Sequence, residues 1–143
     1  MVTDTDTIKA LNELLQGEYM AIESFNTFID RVEEDHIKKS FQDIQKQHRD
    51  NIEILSSHIQ NMGGKPQENL GMKGKMADMK LNMDLGMKSD AFEIIEKAIN
   101  GETKGVNMAE KVLRGNLDDK SRDIAGEILK KDRDSIAQLK TLM

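Results

Sequence analysis

Four ionisable residues stand where apolar side chains are expected. Ile, Leu, Phe and Val recur at steps of three and four in four stretches, a spacing that places them on one face of an amphipathic helix. Each stripe is broken once near its middle, by Glu18, His48, Glu102 and Asp132 in chain order. Carboxylate and imidazole groups suit iron, manganese or zinc, so these four residues could hold a divalent cation inside a bundle. The alternative is a structural network that shares protons or buried water.

The stripes predict four long helices. Only a few residues separate the first helix from the second and the third from the fourth, so each pair is expected to form an antiparallel hairpin. At 1.5 Å of rise per residue, counting from the two turns places all four ionisable residues at about the same level. The third helix is expected to bury Phe92, Ile95 and Val106 along its stripe. The expected N-caps are Asp6 or Thr7, Asp35, Ser89 or Asp90, and Asp118 or Asp119, and Gly63-Gly64 is expected to end the second helix.

The two hairpins are similar to each other at a constant offset. The same 84 residues separate Glu18 from Glu102 and His48 from Asp132, and a mid-helix glycine precedes both glutamates, as Gly17 and Gly101. Such self-similarity indicates an internal duplication. A glycine inside a helix costs about 1 kcal/mol relative to alanine. The pair is therefore expected to serve close helix approach or to leave space beside the glutamates, unless both are tolerated surface positions.

Composition excludes several classes of protein. The 143 residues are expected to form one domain, 1–143, and the absence of cysteine rules out disulfides and thiolate metal sites. Interspersed charges, 21 basic against 26 acidic, and only 3% aromatic residues argue against nucleic acid as a partner. No apolar run approaches the roughly 20 residues of a membrane span, and the polar N-terminus is unlike a signal peptide. The protein is expected to be cytoplasmic.

The connection between the hairpins carries a methionine pattern. Met residues between positions 63 and 88 recur at steps of four, three, four and four, which predicts a short amphipathic helix. Its methionines could pack on the bundle, bind Cu(I) through thioethers, or offer an adaptable surface to a protein partner. His36 and His58, near helix ends, are expected to be solvent-facing or interfacial. The methionines of this pattern are Met72, Met76, Met79, Met83 and Met87.

The four ionisable residues resemble the metal ligands of the ferritin-like superfamily. Its di-iron members take a Glu from the first and third helices and a Glu-x-x-His motif from the second and fourth. Glu18 and Glu102 match the glutamates of the first and third helices. The motifs stand here as Gln45-Lys46-Gln47-His48 and Leu129-Lys130-Lys131-Asp132, so two carboxylates and one imidazole are replaced. The resemblance implies a reduced site for one ion, with Gln45 as a neighbouring partner.

Within that superfamily the chain is similar to a bacterial, rubrerythrin-related family, the domain of unknown function 2383. The similarity rests on Gly63-Gly64-Lys65-Pro66, on the long crossover and on Ala98-Ile99-Asn100-Gly101-Glu102. It covers nearly the whole chain and implies an all-α, up-down, ferritin-like four-helix bundle of two antiparallel hairpins joined by a long crossover that contains the Met-rich helix. It brings no assigned reaction.

The leading hypothesis is a non-catalytic ferritin-like protein that binds one divalent metal ion, or none, at its central layer. Iron, manganese and zinc are the candidate ions, and Glu18, His48, Glu102 and Asp132 are the candidate ligands. One alternative is a structural bundle that uses the Met-rich crossover for dimerisation or partner binding. Another is a rubrerythrin-like di-iron oxidase or peroxidase. A homodimer through helix faces is expected, with neither nucleic acid nor membrane as partner.

Overall fold

Four helices make up the described part of the chain. The computed structural model describes residues 3–68 and 90–143, and the predicted Met-rich helix lies outside these ranges. The helices are α1 (Asp4–Arg31), α2 (Asp35–Asn61), α3 (Ala91–Leu113) and α4 (Asp119–Lys140). Within the described residues, none of the four is long and apolar enough to cross a membrane.

Short polar side chains begin three of the helices. The carboxylates of Asp90 and Asp118 accept hydrogen bonds of 2.8 Å from the backbone N–H groups of Glu93 and Ser121, which confirms these two predicted N-caps. At the start of α1 the cap is Thr3 rather than Asp6 or Thr7, because Asp4 and Asp6 lie in the first helical turn. There their negative charges interact favourably with the positive end of the helix dipole.

The second helix begins and ends differently from the other three. Its N-cap is Glu34 rather than Asp35, and no side-chain bond caps it. After Asn61 the chain turns at Gly63, whose φ of 84° is a conformation that favours glycine. The predicted end of α2 at Gly63-Gly64 is therefore confirmed.

The helices form two antiparallel hairpins in a four-helix bundle. Helix α1 packs against α2 and α3, and α4 packs against α3 and α2. On every helix, apolar residues lie on both sides of the central ionisable residue, so the core that the described residues form has two separate parts. The Leu11 cluster consists of Leu11, Leu14, Leu15, Leu55, Ile59, Val106, Ala109, Val112, Leu117, Ala125, Ile128 and Leu129. The Phe25 cluster consists of Phe25, Phe28, Val32, Ile37, Phe41, Ile44, Ile94, Ile95, Ala98 and Leu139.

One predicted core residue lies outside the core. Phe92 is 55% exposed, so its assignment to the buried stripe is wrong. It stands in the first turn of α3, where Ile94, Ile95 and Ala98 are the residues that face the bundle. The prediction for Phe92 rested only on its spacing from the other apolar residues. At this end of the helix the positions that follow Phe92 face the core instead.

The two phenylalanines Phe41 and Phe92 provide a test of this core. Phe41 is fully buried and meets the ring of Phe25 edge-on at a centroid distance of 5.6 Å. We expect Phe41→Ala to lower the free energy of unfolding by about 4 kcal/mol, because it removes a buried ring and leaves a cavity. Phe92→Ala is the matched control and should change stability by less than about 1 kcal/mol. Urea denaturation followed by circular dichroism measures both, and equal losses would contradict the assigned burial.

Candidate metal centre

The bundle brings the four predicted ionisable residues into one layer. Glu18, His48, Glu102 and Asp132 come from α1, α2, α3 and α4 respectively, and each is between 3 and 6% exposed. They lie between the Leu11 cluster and the Phe25 cluster, so apolar groups close the layer from both ends of the bundle. We call these four residues the polar layer.

The imidazole of His48 is the centre of the polar layer. Its Nδ1 hydrogen-bonds to Oε2 of Glu18, and its Nε2 lies 2.7 Å from Oε1 of Glu102. Oδ1 of Asp132 lies 3.7 Å from the same Nδ1. Both ring nitrogens therefore face carboxylate oxygens, an arrangement in which a protonated ring donates to two helices at once.

Asn51 is a member of the site that the apolar pattern did not reveal. Its Nδ2 donates 3.3 Å hydrogen bonds to Oε1 of Glu18 and to Oδ1 of Asp132, and its side chain is fully buried. The amide thus links two carboxylates that would otherwise repel each other. Its position three residues after His48, on the same helix face, was the available signal.

Gln45 does not take the neighbouring role that was expected of it. Its Nε2 donates to the backbone oxygen of Ile22 at 2.9 Å and to Oδ1 of Asn26 at 2.8 Å. Its Oε1 accepts a 3.0 Å bond from Arg49. The amide of Gln45 is thus hydrogen-bonded to α1 and to Arg49. The expectation that Gln45 supports the polar layer is wrong.

Tyr19 and the two other histidines, His36 and His58, lie away from the polar layer. Tyr19 is half-buried against the Leu11 cluster, where burial and the charge of Glu68 raise its pKa. His36 is exposed, as predicted. His58 is buried, and its Nε2 lies 2.8 Å from Oγ of Ser121 on α4, so its prediction as solvent-facing or interfacial is wrong.

Burial and mutual repulsion determine the protonation of the polar layer. Burial alone would lower the pKa of His48, but the charges of Glu102 and Glu18 and their hydrogen bonds hold that pKa well above its usual range. Burial and the charges of Glu18 and Glu102 raise the pKa of Asp132 to about 8, against an opposing effect of His48. At neutral pH the layer therefore favours a charged imidazole and a protonated Asp132.

The geometry of potential ligand atoms divides the polar layer into two parts. Single ligand atoms from Glu18, His48 and Asp132 all lie within 4.8 Å of one another. Glu102 stands apart from this triad, because it meets the opposite nitrogen of the imidazole. Two carboxylates and one imidazole are a donor set that suits divalent iron, manganese or zinc.

The polar layer should make the metal-free protein less stable in alkaline solution. Both raised pKa values mean that the folded protein holds protons which the unfolded chain releases, so stability falls as pH rises through the folded pKa values. For Asp132 this loss extends from its ordinary pKa of 3.8 to about 8. We expect Asp132→Asn to retain of the order of 2 kcal/mol more of the unfolding free energy than wild type between pH 6 and 9. Urea denaturation in the presence of a chelator measures the difference.

The exposed Asp134 on the same helix supplies the control for this measurement. Asp134→Asn removes the same charge from solvent and should follow the wild-type pH dependence. A loss between pH 6 and 9 that is equal in Asp132→Asn and wild type would contradict the raised pKa of Asp132.

Solved structures with the same fold share the whole length of this chain. A ferritin-like di-iron-carboxylate protein from Bacillus anthracis is 20% identical, with a TM-score of 0.72 over 99% of both chains. A dodecameric thioferritin from Bacteroides fragilis is 17% identical, with a TM-score of 0.75 over 98% of this chain and 85% of its own. A two-domain protein from Anabaena variabilis, with DJ-1/ThiJ/PfpI-like and ferritin-like domains, is 20% identical, with a TM-score of 0.78. This last match covers 98% of our chain but only 36% of the two-domain protein. These likenesses establish the ferritin-like fold.

The sequence itself matches a family model. No curated protein matches the chain. The model of the domain of unknown function DUF2383 matches residues 6–115, which cover α1 from its third residue and all of α2 and α3, with Glu18, His48 and Glu102. The chain is therefore a ferritin-like protein that belongs to the DUF2383 family.

Proposed function

We propose that the protein binds one divalent metal ion between Glu18, His48 and Asp132 and that it is not an enzyme. The observation that carries this proposal is the buried triad whose ligand atoms lie within 4.8 Å of one another. A divalent cation would offset the carboxylate charges that the apolar surroundings disfavour. Carboxylate oxygen atoms of Glu18 and Asp132 and the Nδ1 atom of His48 would coordinate the ion. Iron, manganese and zinc all accept such ligands.

Glu102 has a different role in this proposal from the one its sequence pattern suggested. An imidazole that binds a metal through one nitrogen usually donates its other N–H to a carboxylate or carbonyl, which fixes the ring and its tautomer. Oε1 of Glu102 lies 2.7 Å from Nε2 of His48, on the side away from Asp132. Glu102 would thus hold the imidazole for the metal rather than act as a fourth ligand.

The replaced motif residues favour one ion over two. Leu129 is buried in the Leu11 cluster, and Gln45 bonds to α1 and Arg49. Neither supplies the bridging carboxylate that the ferritin-like di-iron motif has at these positions. The remaining oxygen donors suffice for one ion, and a mononuclear site without a second metal supports a binding role rather than di-iron oxidase or peroxidase chemistry.

Assembly and location stay predictions. Phe92, an exposed apolar side chain in the first turn of α3, is a residue that a second copy could cover, which supports the predicted homodimer. The similar protein from Bacteroides fragilis is dodecameric, so we extend the proposal to self-association of ferritin-like copies. The partner expected at the Met-rich crossover and the cytoplasmic location are proposed on sequence grounds alone.

Equilibrium dialysis with elemental analysis tests the proposed metal site. Chelator-treated protein, dialysed separately against Mn²⁺, Fe²⁺ and Zn²⁺, is expected to retain one ion per chain. Glu18→Gln and Asp132→Asn should abolish this binding, because each removes a ligand. Glu102→Gln should weaken it by about 10- to 100-fold without changing the stoichiometry, as expected for a residue that orients a ligand.

Glu96→Gln is the matched control, since Glu96 is exposed on the same helix as Glu102. It should bind metal as wild type does. Two ions per wild-type chain, with one lost in Glu102→Gln, would instead indicate a dinuclear centre with Glu102 as a ligand. Absence of binding for all three ions would leave the polar layer as a structural network and refute the proposal.

A further inference from the structure

A cavity of about 240 Å³ opens between α1 and α3 onto the polar layer. All four residues of the layer line it, at its inner end. Its walls are mostly apolar and include Phe25, Phe28 and Met108. The cavity therefore combines an apolar body with a charged inner end, as small-molecule sites commonly do.

Mid-helix glycines create the room in this cavity. Gly17 on α1 and Gly101 and Gly105 on α3 line it. A Cβ atom built on Gly101 or Gly105 would meet no atom within 4 Å, and one on Gly17 would lie 3.6 Å from Sδ of Met108, an ordinary contact. Close helix approach therefore does not require these glycines, although each weakens its helix relative to alanine. Of the three explanations drawn from the sequence, close helix approach is ruled out, whereas open space beside the glutamates and a tolerated surface position both fit Gly101, which is exposed.

The volume of the cavity sets the size of a ligand. An apolar cavity of about 150 Å³ in another protein binds benzene. The larger cavity between α1 and α3 has room for a head group and a chain of about six carbon atoms, by comparison with that case.

The charges at the inner end set the chemistry of the head group. The polar layer has three carboxyl groups and a single imidazole, and Asn51 adds neutral N–H groups only. Lys104, the other basic residue of the lining, is exposed, so its charge is solvated. Because formal negative charge exceeds positive charge at the inner end, a cationic head group is complementary and an anionic one is not.

We propose that this cavity binds a primary alkylammonium ion, with the ammonium group at the polar layer and the alkyl chain against Phe25, Phe28 and Met108. The ammonium group offers three donors to oxygen atoms of Glu18 and Glu102. The chain displaces water from apolar walls. This inference needs no bound metal, because the ammonium ion itself is the compensating cation.

Calorimetric titration of the chelator-treated, full-length protein with hexylammonium chloride tests the proposal. We expect one ligand per chain and an affinity at least tenfold above that of hexan-1-ol, with no binding of hexanoate. Shortening the ligand to butylammonium should weaken binding about fourfold for each methylene removed. Equal affinities for the three head groups, or no binding of hexylammonium, would refute the proposal.

Leucine substitutions at two glycines distinguish the cavity from other surfaces. Gly105→Leu places a side chain in the cavity and should weaken hexylammonium binding at least tenfold, while the helix gains propensity. Gly126→Leu on α4 is the matched control, because its Cβ also meets no atom within 4 Å and it lies outside the cavity lining. Circular dichroism checks that both variants fold. Wild-type affinity in Gly105→Leu, or an equal loss in Gly126→Leu, would refute the proposal.

A charge substitution gives a second readout. Glu102→Gln should weaken hexylammonium binding and leave the affinity for hexan-1-ol unchanged, because only the ammonium ion interacts with the lost charge. Equal effects on both ligands would show that Glu102 shapes the cavity without recognising the cation, contrary to the proposal. All of these measurements use metal-free protein, so a failure to bind Mn²⁺, Fe²⁺ or Zn²⁺ would leave their result unaffected.

Discussion

The bundle depends on one constraint, which is the burial of an imidazole among three carboxyl groups. Removing each charged group from water costs several kcal/mol unless partners compensate it. His48 meets Glu18 and Glu102 at its two nitrogens, and Asn51 joins Glu18 to Asp132, so these contacts tie all four helices together. A slip of one residue would turn a helix by about 100° and separate the partners. The polar layer therefore fixes the relative register of the helices more strictly than the apolar clusters alone.

The same contacts make the layer asymmetric even though the sequence pattern is repeated. Glu18 and Glu102 occupy equivalent positions under the offset of 84 residues, and both bond to His48. Asp132 is equivalent to His48, but it has a carboxylate in place of the imidazole, and Asn51 donates a hydrogen bond to its Oδ1. The duplication inferred from the sequence stays a prediction. In the fold, Glu18 and Asp132 lie at one nitrogen of the imidazole, and Glu102 lies at the other.

Apolar spacing predicted most of the fold because each helix buries one continuous face. The stripes gave four helices, two hairpins and the level of the polar layer, since an ionisable residue inside such a stripe must be buried with partners. The predictions for polar residues failed because spacing does not show toward which helix a polar side chain points. Gln45 and His58 are polar residues whose partners lie on other helices, namely Ile22 and Asn26 on α1 and Ser121 on α4. Only the packed structure determines such pairs, and the same holds for the space beside Gly105.

Protons, a metal ion and an organic cation are three ways to meet the same electrostatic requirement. In the metal-free protein, protons on His48 and Asp132 offset the two glutamates, as the raised pKa values indicate. A metal ion needs the lone pair of His48 Nδ1 and an ionised Asp132, so its binding must displace those protons. In the proposed metal-bound form, Glu102 would keep its contact with Nε2 and so hold the ring for a ligand at Nδ1. The proposed ammonium ion would compete with the metal for the same carboxylate charge. The polar layer thus needs positive charge to compensate its carboxylates. The size of the cavity and the ligand atoms of the triad determine which cation can supply that charge.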